Sequence, residues 1–93
     1  MTDDEIPADM RAKVAASDFE GVMKFDCGKD GVVVINGREV TRQDMEADCT
    51  ITLSRKNLEK LVRGELNPMT AFLTGKIKVE GDLSVAMKLQ TLL

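Results

Sequence analysis

Four stretches of the chain have the residue pattern of β-strands. In three of them, residues 19–27, 47–54 and 76–80, apolar side chains recur at every second position, as in a half-buried strand. The fourth, residues 32–35, is β-branched on both faces and follows a glycine-containing turn, which predicts an antiparallel hairpin with the first strand. Residues 38–46 are polar and without a clear period, so they are predicted to form a loop, although Val40 could extend the sheet locally.

Helix signals occupy the remaining segments. A short helix is predicted near residues 8–16, with Met10 and Val14 at helical spacing. Ser54 can cap a helix that runs to Gly64, and Asn67 followed by Pro68 opens another over residues 69–74. A last helix is predicted from Asp82 to the end of the chain; it carries one apolar face, with Met87 on its polar side. The sequence therefore predicts an α+β fold, with helices on one face of a largely antiparallel sheet of four to five strands.

Length and charge narrow the function classes. A chain of 93 residues provides one domain with a modest core. Its net charge of −3, the absence of Trp and Tyr, and only three Phe residues argue against nucleic-acid binding. The absence of His excludes histidine-based acid/base catalysis, and nothing in the sequence indicates a cofactor. With no apolar run long enough to span a membrane and an acidic first segment, the chain is expected to be cytoplasmic.

Three groups of residues are candidates for redox chemistry, metal binding or phosphate binding. Cys27 and Cys49 point inward from strands that could be adjacent, so a redox pair is conceivable, but neighbouring aspartates would raise their pKa values and packing is the favoured interpretation. The carboxylates of Asp44, Glu46 and Asp48 share one face of an extended segment, yet they lack the other ligands of a calcium loop. No phosphate-binding glycine motif accompanies the helix starts. We therefore expect no metal site and no catalytic residues.

The second half of the chain closely resembles the sterol carrier protein family of nonspecific lipid-transfer domains. The resemblance is carried by A-D-C-T-I-T-L-S at residues 47–54, by L-x-x-L-V-x-G-E-L-N-P-M-T-A-F-L-T-G-K-I-K-V-E-G-D at residues 58–82, and by A-M-K-L-Q-T-L-L at residues 86–93. It covers residues 19–93, with residues 1–18 as an N-terminal lead and short helix. It implies that an apolar tunnel between sheet and helices holds a fatty acid, acyl-CoA, sterol or phospholipid chain. The short segment 38–46 departs from the family pattern and suggests that one strand is missing, which favours a groove for one acyl chain.

The resemblance also implies which residues contact lipid. Carried over position by position, they are Phe25, Ile51, Leu66, Met69, Phe72, Leu73, Ile77 and Met87. Flexible methionines and long aliphatic side chains suit varied apolar chains. The competing interpretation is that all eight only fill the core.

Two functional hypotheses follow. The first is non-enzymatic binding of lipid, with or without its transfer; the second is a structural or interaction module of the same fold with a filled core, as a monomer or a homodimer. Transient contact with an anionic membrane is expected through four basic residues on the polar side of one helix, Arg55, Lys56, Lys60 and Arg63. A solvated helix face is the alternative for those four, and the sequence leaves the oligomeric state open.

Overall fold

The computed structural model of the chain describes residues 9–92. The strands are β1 (Val22–Asp26), β2 (Val32–Asn36), β3 (Glu39–Thr41), β4 (Cys49–Thr52) and β5 (Lys78–Gly81). The helices are α1 (Met10–Ala15), α2 (Arg55–Val62), α3 (Pro68–Leu73), α4 (Leu83–Met87) and α5 (Leu89–Leu92). The predicted α+β class is confirmed.

The five strands form one mixed sheet in the order β3-β2-β1-β4-β5. As predicted, β1 and β2 are antiparallel, with Phe25 opposite Val33. The β2–β3 and β4–β5 pairs are also antiparallel, so the sheet is largely antiparallel. The exception is the central pair, because β1 and β4 run parallel with Phe25 opposite Ile51.

The prediction of a loop over residues 38–46 is wrong in its first part. Glu39, Val40 and Thr41 form the edge strand β3, in which Val40 lies opposite Ile35 and is buried. The tight turn after Asn36 contains Gly37 at a φ of +62°, which lets the chain reverse and pair again at once. The strand that residues 38–46 were expected to lack is therefore present, although it is only three residues long.

One face of the sheet carries the core. Residues directly opposite each other on neighbouring strands point to the same face, so the register places Met23, Phe25, Ile35, Ile51 and Val79 together. All five helices contribute apolar side chains to the cluster on this face: Met10, Val14, Leu58, Leu61, Val62, Ala71, Ala86, Leu89 and Leu92. Helices on one side of the sheet were expected, and they are found there.

The opposite face is crossed by residues 42–48, which connect edge strand β3 to β4 on the far side of β1. Lys24 points to this face, and its Nζ lies 2.7 Å from Oδ1 of Asp44 in the crossing segment. Val34 points the same way and is fully buried. The segment therefore shields the middle of a face that would otherwise meet water.

Three helices begin where the sequence predicts. The side chains of Ser54, Asn67 and Asp82 each accept hydrogen bonds from backbone amides in the first turn of α2, α3 and α4. The final helix, predicted to be continuous from Asp82, is instead divided. It breaks at Lys88, whose amide bonds to the carbonyl of Val85, giving α4 and α5 as separate short helices.

Candidate functional site

An apolar cavity of about 270 Å³ lies between the β4–β5 side of the sheet and helices α3, α4 and α5. Its floor includes Ile51 and Val79, which are directly opposite each other on β4 and β5. The other lining residues are Pro68, Met69, Phe72, Ile77, Leu83, Ala86, Met87 and Leu89. All ten have apolar side chains, so the cavity wall offers contact area without a charge or a polar side chain for specific recognition.

Five of the eight residues predicted to contact lipid line this cavity: Ile51, Met69, Phe72, Ile77 and Met87. They come from the sheet, from α3, from the segment before β5 and from α4. The fold thus brings together residues that are up to 36 positions apart in the sequence.

The other three predicted residues lie elsewhere. Phe25 is fully buried one strand away, opposite Ile51. Leu66 lines a separate groove between the end of α2 and the start of α3. Leu73 is 74% exposed and does not line the cavity. For all eight residues, contact with lipid stays a prediction.

Five lining residues were not among those predicted, namely Pro68, Val79, Leu83, Ala86 and Leu89. The alternation in residues 76–80 already places Val79 on the same strand face as Ile77, and that signal could have identified it. Ala86 and Leu89 belong to the apolar face of the predicted last helix. Leu83 flanks that apolar face, whereas the sequence predicts Pro68 only as the first residue of a helix.

Close backbone contact fixes the start of α4 beside the cavity. Gly81 has a φ of +96°, and a Cβ atom there would lie 2.6 Å from the carbonyl oxygen of Asp48. The next residue, Asp82, donates its amide to that same oxygen at 2.9 Å. The Asp82 carboxylate accepts hydrogen bonds from the hydroxyl and the amide of Ser84, both at 2.8 Å, and these bonds lower its pKa. Glycine at position 81 thereby brings α4 close to β4.

The cavity opens at a rim of exposed apolar side chains. Phe72, Leu83 and Met87 line it and are 43%, 56% and 46% exposed. Leu83 and Met87 are four residues apart on α4, so they lie on one face of that helix. Leu73 is the fourth large hydrophobic residue with high exposure in the described part of the chain, and it follows Phe72 directly. Three of these four exposed side chains therefore lie at the mouth of the cavity.

The two cysteines do not form a redox pair. Cys49 lies opposite Met23 of β1, whereas Cys27 is four residues beyond Met23, or about 13 Å at about 3.3 Å per residue. A disulfide needs Cα atoms within about 7 Å. Burial raises the pKa of both thiols, that of Cys49 to about 11, so both are protonated at neutral pH and poor nucleophiles.

Two of the three carboxylates singled out in the sequence, Asp44 and Asp48, make structural contacts. A hydrogen bond from Lys24 lowers the pKa of Asp44, and Oδ2 of Asp48 accepts the amide of Val22 at 3.0 Å. Across residues 9–92, no three His, Cys, Asp or Glu side chains are grouped so as to hold a metal ion.

The basic face of α2 is partly neutralised. Nε of Arg55 lies 3.2 Å from the carboxylate of Glu59, and Nε of Arg63 lies 3.4 Å from that of Glu65. Lys56, which is exposed, and Lys60 have no ion pair with any described residue. None of the four basic residues lines the cavity.

Comparison with known proteins decides the family. The model of the SCP-2 sterol transfer family matches residues 4–93. The chain belongs to this family. The family resemblance noted in the sequence is thereby confirmed.

Individual relatives agree with this assignment. The chain is 41% identical over 70 residues to sterol carrier protein 2 of Bos taurus; the match covers 70% of this chain and 13% of the relative's length. The solution structure of sterol carrier protein domain 2 of Helicoverpa armigera has a TM-score of 0.60 and 34% identity, covering 89% of this chain and 69% of that one. Sterol carrier protein-2 of Aedes aegypti, solved in complex with palmitate, has a TM-score of 0.72 and 21% identity, covering 97% and 92% of the two chains.

The curated relative is thus much longer than this chain, which spans about one eighth of its length. Within residues 9–92, none of the helices has the length and apolar character needed to cross a membrane.

Proposed function

We propose that this domain binds one acyl chain of a fatty acid or other acyl lipid in the cavity beneath α3 and α4, and exchanges it with membranes without covalent chemistry. The observation that carries this proposal is the open cavity with ten apolar lining residues. The alternative hypothesis, an interaction module with a filled core, requires no such cavity. Membership of a sterol transfer family supports the same interpretation.

The size of the cavity favours an acyl chain over a whole sterol. A methylene group is about as large as a water molecule, whose share of liquid volume is about 30 Å³. A volume of about 270 Å³ therefore holds on the order of nine carbons. A sterol is larger and rigid, whereas a flexible chain can place part of its length inside and leave its polar head at the mouth. The palmitate complex of the Aedes aegypti relative supports a ligand of this class.

We expect an affinity no tighter than micromolar. Burying on the order of nine methylenes at about 0.8 kcal/mol each contributes roughly 7 kcal/mol. This corresponds to a Kd on the order of 10 µM before the cost of association. Because the wall has no polar side chain, affinity depends on chain length and little on headgroup chemistry.

Binding without catalysis is supported by the burial and protonation of the two cysteines, which are the candidate nucleophiles. Cys27 and Cys49 are buried, and their raised pKa values keep them as thiols. The ten residues that line the cavity include no acid, base or nucleophile. The cytoplasmic location expected from the sequence stays a prediction.

The binding proposal is tested by filling the cavity. Ala86 lines it and is buried, so Ala86→Leu should occupy space that the ligand needs and weaken decanoate binding at least tenfold. Ala15→Leu makes the same change on an exposed position of α1, far from the cavity lining, and should leave binding unchanged. Calorimetry on delipidated protein measures both, with circular dichroism as the test of folding. Failure of the wild type to bind any fatty acid would refute the proposal.

For exchange, we propose that the basic face of α2 provides weak contact with anionic membranes. Lys56 and Lys60 support this, since they lack ion pairs among the described residues, while Arg55 and Arg63 are partly neutralised. Each such lysine near an anionic leaflet contributes about 1 kcal/mol, screened by salt over about 8–10 Å.

Charge reversal tests the membrane contact. The double variant K56E/K60E should slow transfer of a fluorescent fatty acid to vesicles containing phosphatidylserine by at least tenfold, without changing equilibrium affinity. Lys29→Glu reverses an exposed charge in the turn before β2 and serves as the control. Transfer rates that respond to neither vesicle charge nor salt would mean that the basic face only solubilises the protein.

A further inference from the structure

A second space lies next to the cavity and shares two lining residues with it. This groove has a volume of about 430 Å³ and runs between the end of α2 and the start of α3, with Leu61 and Leu66 among its lining residues. Pro68 and Leu89 line both the cavity and the groove. The two spaces are therefore separated by these two side chains.

Both residues are held in place by the fold. Pro68 is the first residue of α3, which is fixed by two hydrogen bonds from backbone amides to the side chain of Asn67, at 2.9 and 3.1 Å. Leu89 is the first residue of α5 and is 1% exposed. Leu89 is buried and Pro68 is partly exposed, and together they form the wall between the cavity and the groove.

The wall limits how much of a chain the cavity can enclose. A 16-carbon chain needs on the order of 500 Å³ at about 30 Å³ per carbon, more than the cavity provides. With the groove joined to it, the available volume would be sufficient. Of the groove's other lining residues, Leu61 and Leu66 offer aliphatic contacts, whereas Gly64, Glu65 and Asn67 give it a polar side.

We propose that Leu89, together with Pro68, is the chain-length determinant of this domain, and that the wall they form limits the enclosed part of an acyl chain to about nine carbons. This inference rests on the proposed binding of an acyl chain in the cavity. In the wild type, carbons beyond that number remain at the mouth and add little to affinity. Shortening Leu89 joins the cavity to the groove, so that longer chains become enclosed.

The test measures affinity against chain length. Delipidated wild type and Leu89→Ala are titrated with saturated fatty acids of 8 to 16 carbons, below their micelle concentrations, by displacement of an environment-sensitive dye. For the wild type, Kd should fall about fourfold per added methylene and level off near ten carbons. For Leu89→Ala, Kd should continue to fall, giving at least tenfold tighter binding of hexadecanoate than of decanoate.

Leu92→Ala is the matched control. It removes the same atoms from another buried leucine of α5, but Leu92 lines neither the cavity nor the groove, so the length at which affinity levels off should not move. If Leu89→Ala does not fold, Pro68→Ala opens the same wall from α3 and should move the plateau to longer chains.

The outcomes separate this inference from the function on which it rests. A wild-type Kd that keeps falling to 16 carbons would refute the proposal that Leu89 and Pro68 limit the enclosed chain length, but would leave lipid binding intact. A plateau that neither wall variant moves would do the same. Absence of binding at every chain length would overturn the proposed function and the wall together.

Discussion

Phe72 and Leu73 are consecutive residues that the family resemblance treats alike but the structure separates. Phe72 lines the cavity and is 43% exposed, whereas Leu73 is 74% exposed and lies outside it. Full burial of such a side chain is worth roughly 1.5–3 kcal/mol. A ligand that covers the exposed part of the Phe72 ring would therefore gain about 1 kcal/mol, or about fivefold in Kd. We expect Phe72→Ala to weaken decanoate binding by about fivefold and Leu73→Ala to change it by less than about twofold.

The assay is direct titration of delipidated protein with decanoate by calorimetry, with urea unfolding of each variant as a control. Both alanine variants should remain folded, since neither residue is buried in the core cluster. Equal losses of affinity for the two variants, or a larger loss for Leu73→Ala, would show that the ligand lies outside the cavity. The family-based position of Leu73 would then be the better guide to the site.

Three further predictions concern stability. Burial raises the pKa of Cys49 from 9.0 to about 11. The contribution of the buried thiol to the free energy of unfolding should therefore be complete below pH 9. It should decline by about 2 kcal/mol by pH 10.5, because the thiol of the unfolded chain ionises first. Urea midpoints of wild type and Cys49→Ala should converge over that range, and parallel pH profiles would contradict this. Gly81→Ala should cost about 2–3 kcal/mol, because its Cβ would meet the carbonyl oxygen of Asp48, whereas Gly75→Ala, with open space, should cost about 1 kcal/mol. Asn67→Ala should lower the free energy of unfolding by about 1 kcal/mol through loss of the α3 cap. An unchanged thermal midpoint would contradict this.

Most of the fold could be predicted because its signals are local. Alternation located β1, β4 and β5, and side chains that accept backbone hydrogen bonds located the starts of α2, α3 and α4. The β3 strand was missed because only one of its three residues, Val40, is apolar. Its pairing depends on the turn at Gly37 rather than on its own composition. The parallel pairing of β1 with β4 was also not predicted, since no local pattern specifies which distant strand becomes a neighbour.

The candidate site was predictable only in part, for a similar reason. Alternation tells which side chains point inward, but not whether the space above them is filled. Phe25 and Ile51 are directly opposite each other on the same sheet face, yet only Ile51 reaches the cavity. The difference arises because the cavity lies on the β4–β5 side of the sheet, and the place where the helices leave space depends on distant packing rather than on either residue.

The boundary between α4 and α5 at Lys88 lies beside the cavity. At 100° per residue, Met87 and Leu89 would lie 200° apart on one continuous helix. Both nevertheless line the same cavity, one on each side of the boundary. Leu83 and Met87 of α4 are exposed at the mouth, whereas Leu89 of α5 is 1% exposed. The cavity is therefore lined by exposed residues of α4 and by a buried residue of α5, and Met87 contributes to it although it lies on the polar side of the predicted helix.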